Sequence, residues 1–245
     1  MPASSTARAE LNVMISGGFS LAYRAMLPEF ERTTGISVST ASAASQGTGP
    51  NTMKAQLEGG VRADVVILSR EGLSELIVAG RIVNGTDVDL ASVPIGAAVR
   101  VGQAKPDVTT IDSFKQTLLG ARSVAIPGST SGIFLMNEVF PGLGLADRVA
   151  VKVGPRGTDA TAMVAAGEAD IVLAPVSEIV NVAGIEVVGP IPHEVQLIQV
   201  FAAAIVAGSD RLAEAKRLIE FLTSSRASAA IENSGMAPLG TRPAR

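Results

Sequence analysis

Two arginines stand where an α/β chain would open onto a cleft. Arg70 follows the apolar run Val65-Val66-Ile67-Leu68-Ser69, and Arg156 follows the run 149–153 through Gly154-Pro155. A guanidinium can grip a carboxylate through two parallel hydrogen bonds. Strand-to-helix connections are where such folds meet their ligands. The competing reading for each arginine is a surface salt bridge. Four polar turns share the same setting: Ser16–Ser20, Ser45–Thr52, Ser129–Gly132 and Arg156–Asp159. The helix that follows each turn begins with free N–H groups and a partial positive charge. Hydroxyls and bare glycine backbone beside those groups make an anion site. The expected ligand contacts are therefore Gly17, Gly18, Phe19 and Ser20, then Gln46, Thr48 and Asn51, then Arg70, Ser129, Thr130, Ser131, Arg156 and Thr158. The plainer alternative is that Ser, Thr and Gly only cap helices.

Moving a proton needs a group that changes charge near neutral pH. His193 is the single histidine, in Gly189-Pro190-Ile191-Pro192-His193-Glu194. It reads either as a proton carrier at the cleft edge or as a solvated loop residue. Glu178, in Ala174-Pro175-Val176-Ser177-Glu178, reads either as a general base or as a helix-start carboxylate favoured by the dipole. No Ser-His-Asp order, Walker loop or dinucleotide fingerprint is present, and Gln46-Gly47-Thr48-Gly49 holds only a lone G-x-G.

The elements that must position these residues repeat. Glu58-Gly59-Gly60-Val61-Arg62-Ala63-Asp64-Val65-Val66-Ile67-Leu68 matches Ala166-Gly167-Glu168-Ala169-Asp170-Ile171-Val172-Leu173. Each string is a helix end, a glycine stop, an Ala-Asp step and a run that is apolar on both faces, which suits a buried parallel strand. The fold class is α/β: two lobes of periplasmic-binding type, each a mostly parallel sheet flanked by helices, with the ligand cleft between them. Residues 1–90 and 200–245 form lobe I, and 91–199 form an inserted lobe II. The first helix carries Tyr23, Met26, Leu27 and Phe30 on one face, Pro28 should bend it, and Gly35 ends it.

Composition narrows the partners. The chain has 245 residues, 47% hydrophobic and 18% charged, with net charge −3. No basic stripe exists to neutralise phosphates, so nucleic acid is excluded. Aromatics are 3%, which leaves little for base or sugar stacking. With no cysteine and one histidine, neither a thiol nor a multi-histidine metal site is expected, and no cofactor is. The longest apolar run, 200–208, is too short to span a bilayer. The N-terminus 1–8 has no apolar segment of a signal peptide. The compartment stays open: cytoplasmic if Met1 is the natural start, periplasmic if an export signal has been removed.

The stretch Phe30-Glu31-Arg32-Thr33-Thr34-Gly35-Ile36, the Ala63-Asp64 strand, Ser131-Gly132-Ile133, Gly167-Glu168-Ala169-Asp170, Val200-Phe201 and the ending 215–222 carry a resemblance. The chain resembles the periplasmic molybdate-binding proteins of ABC transporters, over about residues 11–238. The resemblance implies a two-lobed solute-binding architecture and, for a transport receptor, an ABC permease as partner. It also implies ligand positions at Gly18, Asn51, Ser131 and Pro175, where this chain departs from the family's serines, small apolar residue and tyrosine. Loss of those hydroxyls under-coordinates a tetrahedral oxyanion and favours a larger, carboxylate-bearing ligand. The chain is also similar to a divergent branch represented by bacterial aconitate isomerase. That likeness implies an allylic proton shift between cis- and trans-aconitate, with Glu178, His193 and Asp159, in that order, as candidate bases.

Overall fold

The computed structural model describes residues 10–240, so the N-terminal reading at 1–8 lies outside the described residues. The elements run β1 (Glu10–Ile15), α1 (Gly17–Thr34), β2 (Ser37–Ser42), α2 (Met53–Glu58), β3 (Val65–Ser69), α3 (Arg70–Val78), β4 (Val88–Arg100) and α4 (Ile111–Gly120). Next come β5 (Val124–Pro127) and α5 (Thr130–Phe134), which continues through a π-helical turn into α6 (Phe140–Gly142). Then follow β6 (Val151–Gly154), α7 (Gly157–Ala165), β7 (Ile171–Pro175), α8 (Val176–Ile179), β8 (Ile185–Pro190), β9 (Ile198–Ile205), α9 (Leu212–Leu222), α10 (Ser225–Asn233) and β10 (Ala237–Pro238).

The strands form one curled sheet in the order β2-β1-β3-β9-β4-β7-β5-β6, with β8 and β10 also on β4. Each half holds a parallel triplet, β2-β1-β3 and β6-β5-β7. Antiparallel β9 and β4 lie between the triplets, so the sheet is mixed rather than mostly parallel. The long strand β4 belongs to both halves. Its start pairs with β9 as far as Pro94↔Ile198, and its end pairs with β7 from Ile95↔Pro175. Gln196 braces this switch. Its Oε1 accepts from Ile95 N (2.6 Å), and its Nε2 donates to Ile95 O (3.0 Å) and Ile191 O (3.1 Å).

Each half buries its own apolar side chains. In the first, Phe19, Tyr23, Met26 and Phe30 of α1 pack with β1, β3 and β9 on one face, and Met53, Leu73 and Leu76 cover the other. In the second, Phe114, Leu118, Leu135 and Phe140 cover one face, and Ala160, Val164 and Ile179 the other. Helix α1 continues through Pro28. The burial of its core-facing side outweighs the one hydrogen bond that proline removes.

The polar turns are shorter than their sequence suggests. Ser16, Ser129 and Arg156 are N-caps, and the helices begin at Gly17, Thr130 and Gly157. At the second turn the cap is Thr52, not Asn51: the Thr52 hydroxyl accepts from Ala55 N (3.2 Å). At the first, third and fourth turns the chain passes from strand end into helix within one or two residues, which aims the free N–H groups straight off the sheet edge, whereas the second turn is a longer loop between Ser42 and Met53.

Candidate functional site

The four strand-to-helix connections meet around one small cavity of about 20 Å³ between the two halves of the sheet. Ser16, Gly17 and Gly18 line it from α1, and Ala43, Ala44 and Ser45 from the loop after β2. Pro127, Ser129, Thr130 and Ser131 line it from β5 and α5, Arg156 and Gly157 from the start of α7, Pro175 and Glu178 from β7 and α8, and Gln199 and Phe201 from β9. This space admits about one water. A small organic ligand enters only if the halves part.

Hydrogen bonds across the cleft hold it shut. Gln46 N donates to Ser129 Oγ (3.3 Å), and Thr130 Oγ1 donates to Gln46 Oε1 (2.9 Å). The hydroxyls of Ser69 and Thr130 lie 2.8 Å apart. Gln46 Nε2 also donates to Glu75 Oε1 (2.5 Å), which anchors it to the first half.

Glu178 is the acid of this cavity. It is half-buried on the short helix α8, and its carboxyl lies between Gly17 and Gly157, the first residues of α1 and α7. A Cβ on Gly17 would collide with Glu178 Oε1, and one on Gly157 with Oε2. Glycine at both positions lets the Glu178 carboxyl lie this close, and a side chain at either would displace it. Burial pushes the Glu178 carboxyl up to about 7. The N-terminal ends of α1 and α7 beside it favour the ionised form, so both protonation states lie within reach near neutral pH.

The two arginines part company. Arg156 lines the cavity, with its side chain half-exposed. Its Nε donates to Asp159 Oδ2 (3.2 Å), and the Asp159 carboxylate also accepts from the Arg156 backbone N–H (3.0 Å). Arg70 does not line the cavity. Its Nη1 donates to Asp87 Oδ2 (2.7 Å) and its Nε to Asp89 Oδ1 (2.8 Å), so two fixed acids hold it away from the cleft. Burial opposes its charge, but the bonds to Asp89 and Asp87 overcome this and raise its pKa.

Other expected contacts need correcting in the same way. Phe19 is fully buried in the first half's core. Ser20 Oγ donates to Ser16 O (3.0 Å) within the first turn of α1 and does not line the cavity. Thr48 and Asn51 line a separate outer groove, and Thr158 is exposed on α7. Gln46 sits at the rim as a latch rather than in the lining. Among the candidate bases, His193 is exposed on a different groove beside Pro94 and Ile198. Asp159 is engaged with Arg156 and lies outside the lining. The remaining expected residues, Gly17, Gly18, Ser129, Thr130, Ser131, Arg156, Pro175 and Glu178, share the cavity wall.

Sequence reasoning missed Ser16, Ser45, Gly157 and Gln199. Ser16, Ser45 and Gly157 lie within the polar turns noted in the sequence, and Gln199 carried its own signal as the one polar residue in the apolar run Leu197-Ile198-Gln199-Val200-Phe201. Among the described residues no group of three or more His, Cys, Asp or Glu side chains is placed to hold a metal ion. None of the described helices is long and apolar enough to cross a membrane.

An aconitate isomerase from Pseudomonas sp is 36% identical over 234 residues, covering 95% of this chain and 89% of that protein. The periplasmic molybdate-binding protein of Azotobacter vinelandii matches with a TM-score of 0.73 at 21% identity, covering 93% of this chain and 98% of that one. The sulfate-binding protein SubI of Mycobacterium tuberculosis matches with a TM-score of 0.75 at 19% identity, covering 94% and 87%. At these identities the two solved structures establish the fold, an α/β fold of the periplasmic binding proteins. Residues 11–237 match the description of bacterial extracellular solute-binding proteins, and the chain belongs to that family.

Proposed function

We propose that this protein binds a small polycarboxylate in the cleft and isomerises it by allylic proton transfer, interconverting cis- and trans-aconitate. The observation that carries this reading is Glu178, a half-buried carboxyl on the cavity wall pushed up to about 7. The identity to an aconitate isomerase across nearly the whole chain supports it. As carboxylate, Glu178 takes a proton from the ligand's methylene carbon. The electron pair spreads over the three-carbon allyl unit and its carboxylates. As carboxylic acid, Glu178 returns the proton to the former vinyl carbon. One C–H bond breaks, another forms and the double bond moves, with no net change in electrons. The conformation held in the cleft sets whether the new double bond is cis or trans. Arg156 and the helix starts at Gly17 and Gly157 stabilise the charge that develops.

A second reading is a receptor that delivers a small oxyanion or carboxylate to an ABC permease. The family match and the molybdate- and sulfate-binding neighbours favour it. The deciding experiment incubates the protein with cis- or trans-aconitate in deuterated water and follows the vinyl proton by NMR. Interconversion of the isomers establishes the enzyme, and the deuterium gained reports how often the base exchanges with solvent. Binding by calorimetry without interconversion establishes the receptor.

A further inference from the structure

Two polar atoms in the cavity wall are buried and lack any hydrogen-bond partner: Ser16 Oγ and Gln199 Oε1, on residues each 4% exposed. Buried polar atoms are nearly always paired, because an unpaired one forfeits its hydration with no return. Two such atoms facing one small cavity are best explained by a partner from outside the chain. Gln199 is the more telling. It lies near the start of β9, opposite Val93 in register, where the chain has just returned from the second half. Its neighbours in β9 are apolar, and an apolar side chain would satisfy the strand without leaving an orphan. A half-turn of the amide exchanges its acceptor edge for its N–H donors at the same spot. Gln199 can therefore offer a carboxylate a neutral hydrogen bond without adding charge beside Glu178.

We propose that Gln199 is a ligand-anchoring residue, whose amide holds one carboxylate of the bound polycarboxylate at the floor of the cleft, with Ser16 Oγ donating at the same end. This inference rests on the polycarboxylate reading and adds residues that the reading does not use. Anchoring there fixes how the three-carbon unit lies over Glu178, so Gln199 would set affinity and orientation rather than take the proton.

The test uses tricarballylate, a saturated tricarboxylate that has no double bond to move, so binding is read apart from turnover. Calorimetry compares the wild type with Gln199→Met, which keeps the volume and removes the amide, and Gln199→Glu, which places a second carboxylate in the cavity. Thermal melting without ligand is run on all three. Gln199→Met should bind at least tenfold more weakly, Gln199→Glu at least a hundredfold, and the unliganded Gln199→Met protein should melt at or above the wild-type temperature. A structural role for the amide predicts the reverse pattern, a lower melting temperature with affinity kept, and that result overturns the inference. Unchanged affinity in Gln199→Met also overturns it while leaving the polycarboxylate reading intact. A wild type that binds neither tricarballylate nor aconitate overturns both.

Discussion

Arg70 and Arg156 hold equivalent places in the two halves, each at the junction of a strand end and a helix start, yet only Arg156 reaches the cavity. The difference lies in the acids nearby. Arg70 meets Asp87 and Asp89 on the approach to and start of β4, and its two longer bonds to them measure 2.7 and 2.8 Å. Arg156 meets only Asp159 on its own helix, with contacts of 3.2 and 3.4 Å, and its side chain is 51% exposed against 30% for Arg70. A pair of fixed acids satisfies a guanidinium within the protein, whereas one loosely held partner leaves it free to turn to a ligand. The division extends to the whole cleft. The charged side chains on the cavity wall, Arg156 and Glu178, both come from the second half, and the first half contributes the Ser16 and Ser45 hydroxyls, glycine backbone, the Phe201 ring and the neutral amide of Gln199. The first half thus gives the cavity neutral groups, and the second supplies its charge.

Glu178→Gln breaks this division most sharply. It should slow aconitate interconversion by about 10²–10⁴-fold, the usual weight of a general acid–base group, and still bind tricarballylate. The same substitution has a stability signature. The folded protein holds the Glu178 proton more tightly than the unfolded chain does, so this group's contribution is fully present below about 4.5 and is lost as pH rises through about 7. The loss at pH 8 amounts to at most about 3 kcal/mol. Urea unfolding should therefore show Glu178→Gln gaining stability over wild type at pH 8 and little at pH 5. Equal differences at both pH values would show that the carboxyl is not desolvated. Arg156→Ala comes next. It should weaken tricarballylate binding by about 1.5–3 kcal/mol, the range for hydrogen bonds to charged groups.

The strand–helix alternation, the paired Ala-Asp strands and the helix of Tyr23, Met26 and Phe30 were all legible, because local periodicity carries them. β4 was not. Pro94 and Gly96 interrupt its pattern, and a proline inside a run argues against a central strand. Here Pro94 falls where β4 exchanges β9 for β7, a place visible only once both halves are folded. The cleft was legible as a set of strand-to-helix turns, which explains why Thr130, Ser131, Arg156 and Glu178, named from sequence, line one cavity. Arg70 misled for the opposite reason: the acids that occupy it lie 17 and 19 residues away, and no local rule brings them together. Ser20 misled because the helix starts at Gly17, inside the polar string rather than after it, which turns its hydroxyl back onto Ser16.

Arg70→Ala sharpens the comparison from the other side. With its guanidinium occupied by Asp87 and Asp89, its loss should leave tricarballylate affinity within about twofold of wild type. Stability should fall by about 1 kcal/mol, since the partly exposed ion pairs are screened and the two aspartates then repel each other. Added salt should recover part of that loss. A large loss of affinity would return Arg70 to the ligand and undo the contrast with Arg156.

The smallest effect concerns the two Ala-Asp steps, which do the same work by different means. Asp64 accepts from Asn12 N (2.8 Å) and Ser209 Oγ (2.7 Å), fastening β3 beside β1 with neutral donors and 7% exposure. Asp170 accepts from Arg122 N (2.7 Å), fastening β7 beside β5 in the same manner, but its other partner is the Arg122 guanidinium. The hydrogen bond from Arg122 holds the Asp170 carboxyl below its usual range. Its contribution to stability is thus present above the ordinary carboxylate pKa and fades as pH falls through that lowered value. Asp170→Asn should cost under about 1 kcal/mol at pH 7, because the side chain is a third exposed and the pair is screened. The deficit should shrink in high salt, whereas a deficit caused by Asp64→Asn should persist, since its donors carry no charge. Equal salt sensitivity at the two sites would show that charge, rather than the shared backbone bond, fastens both strands.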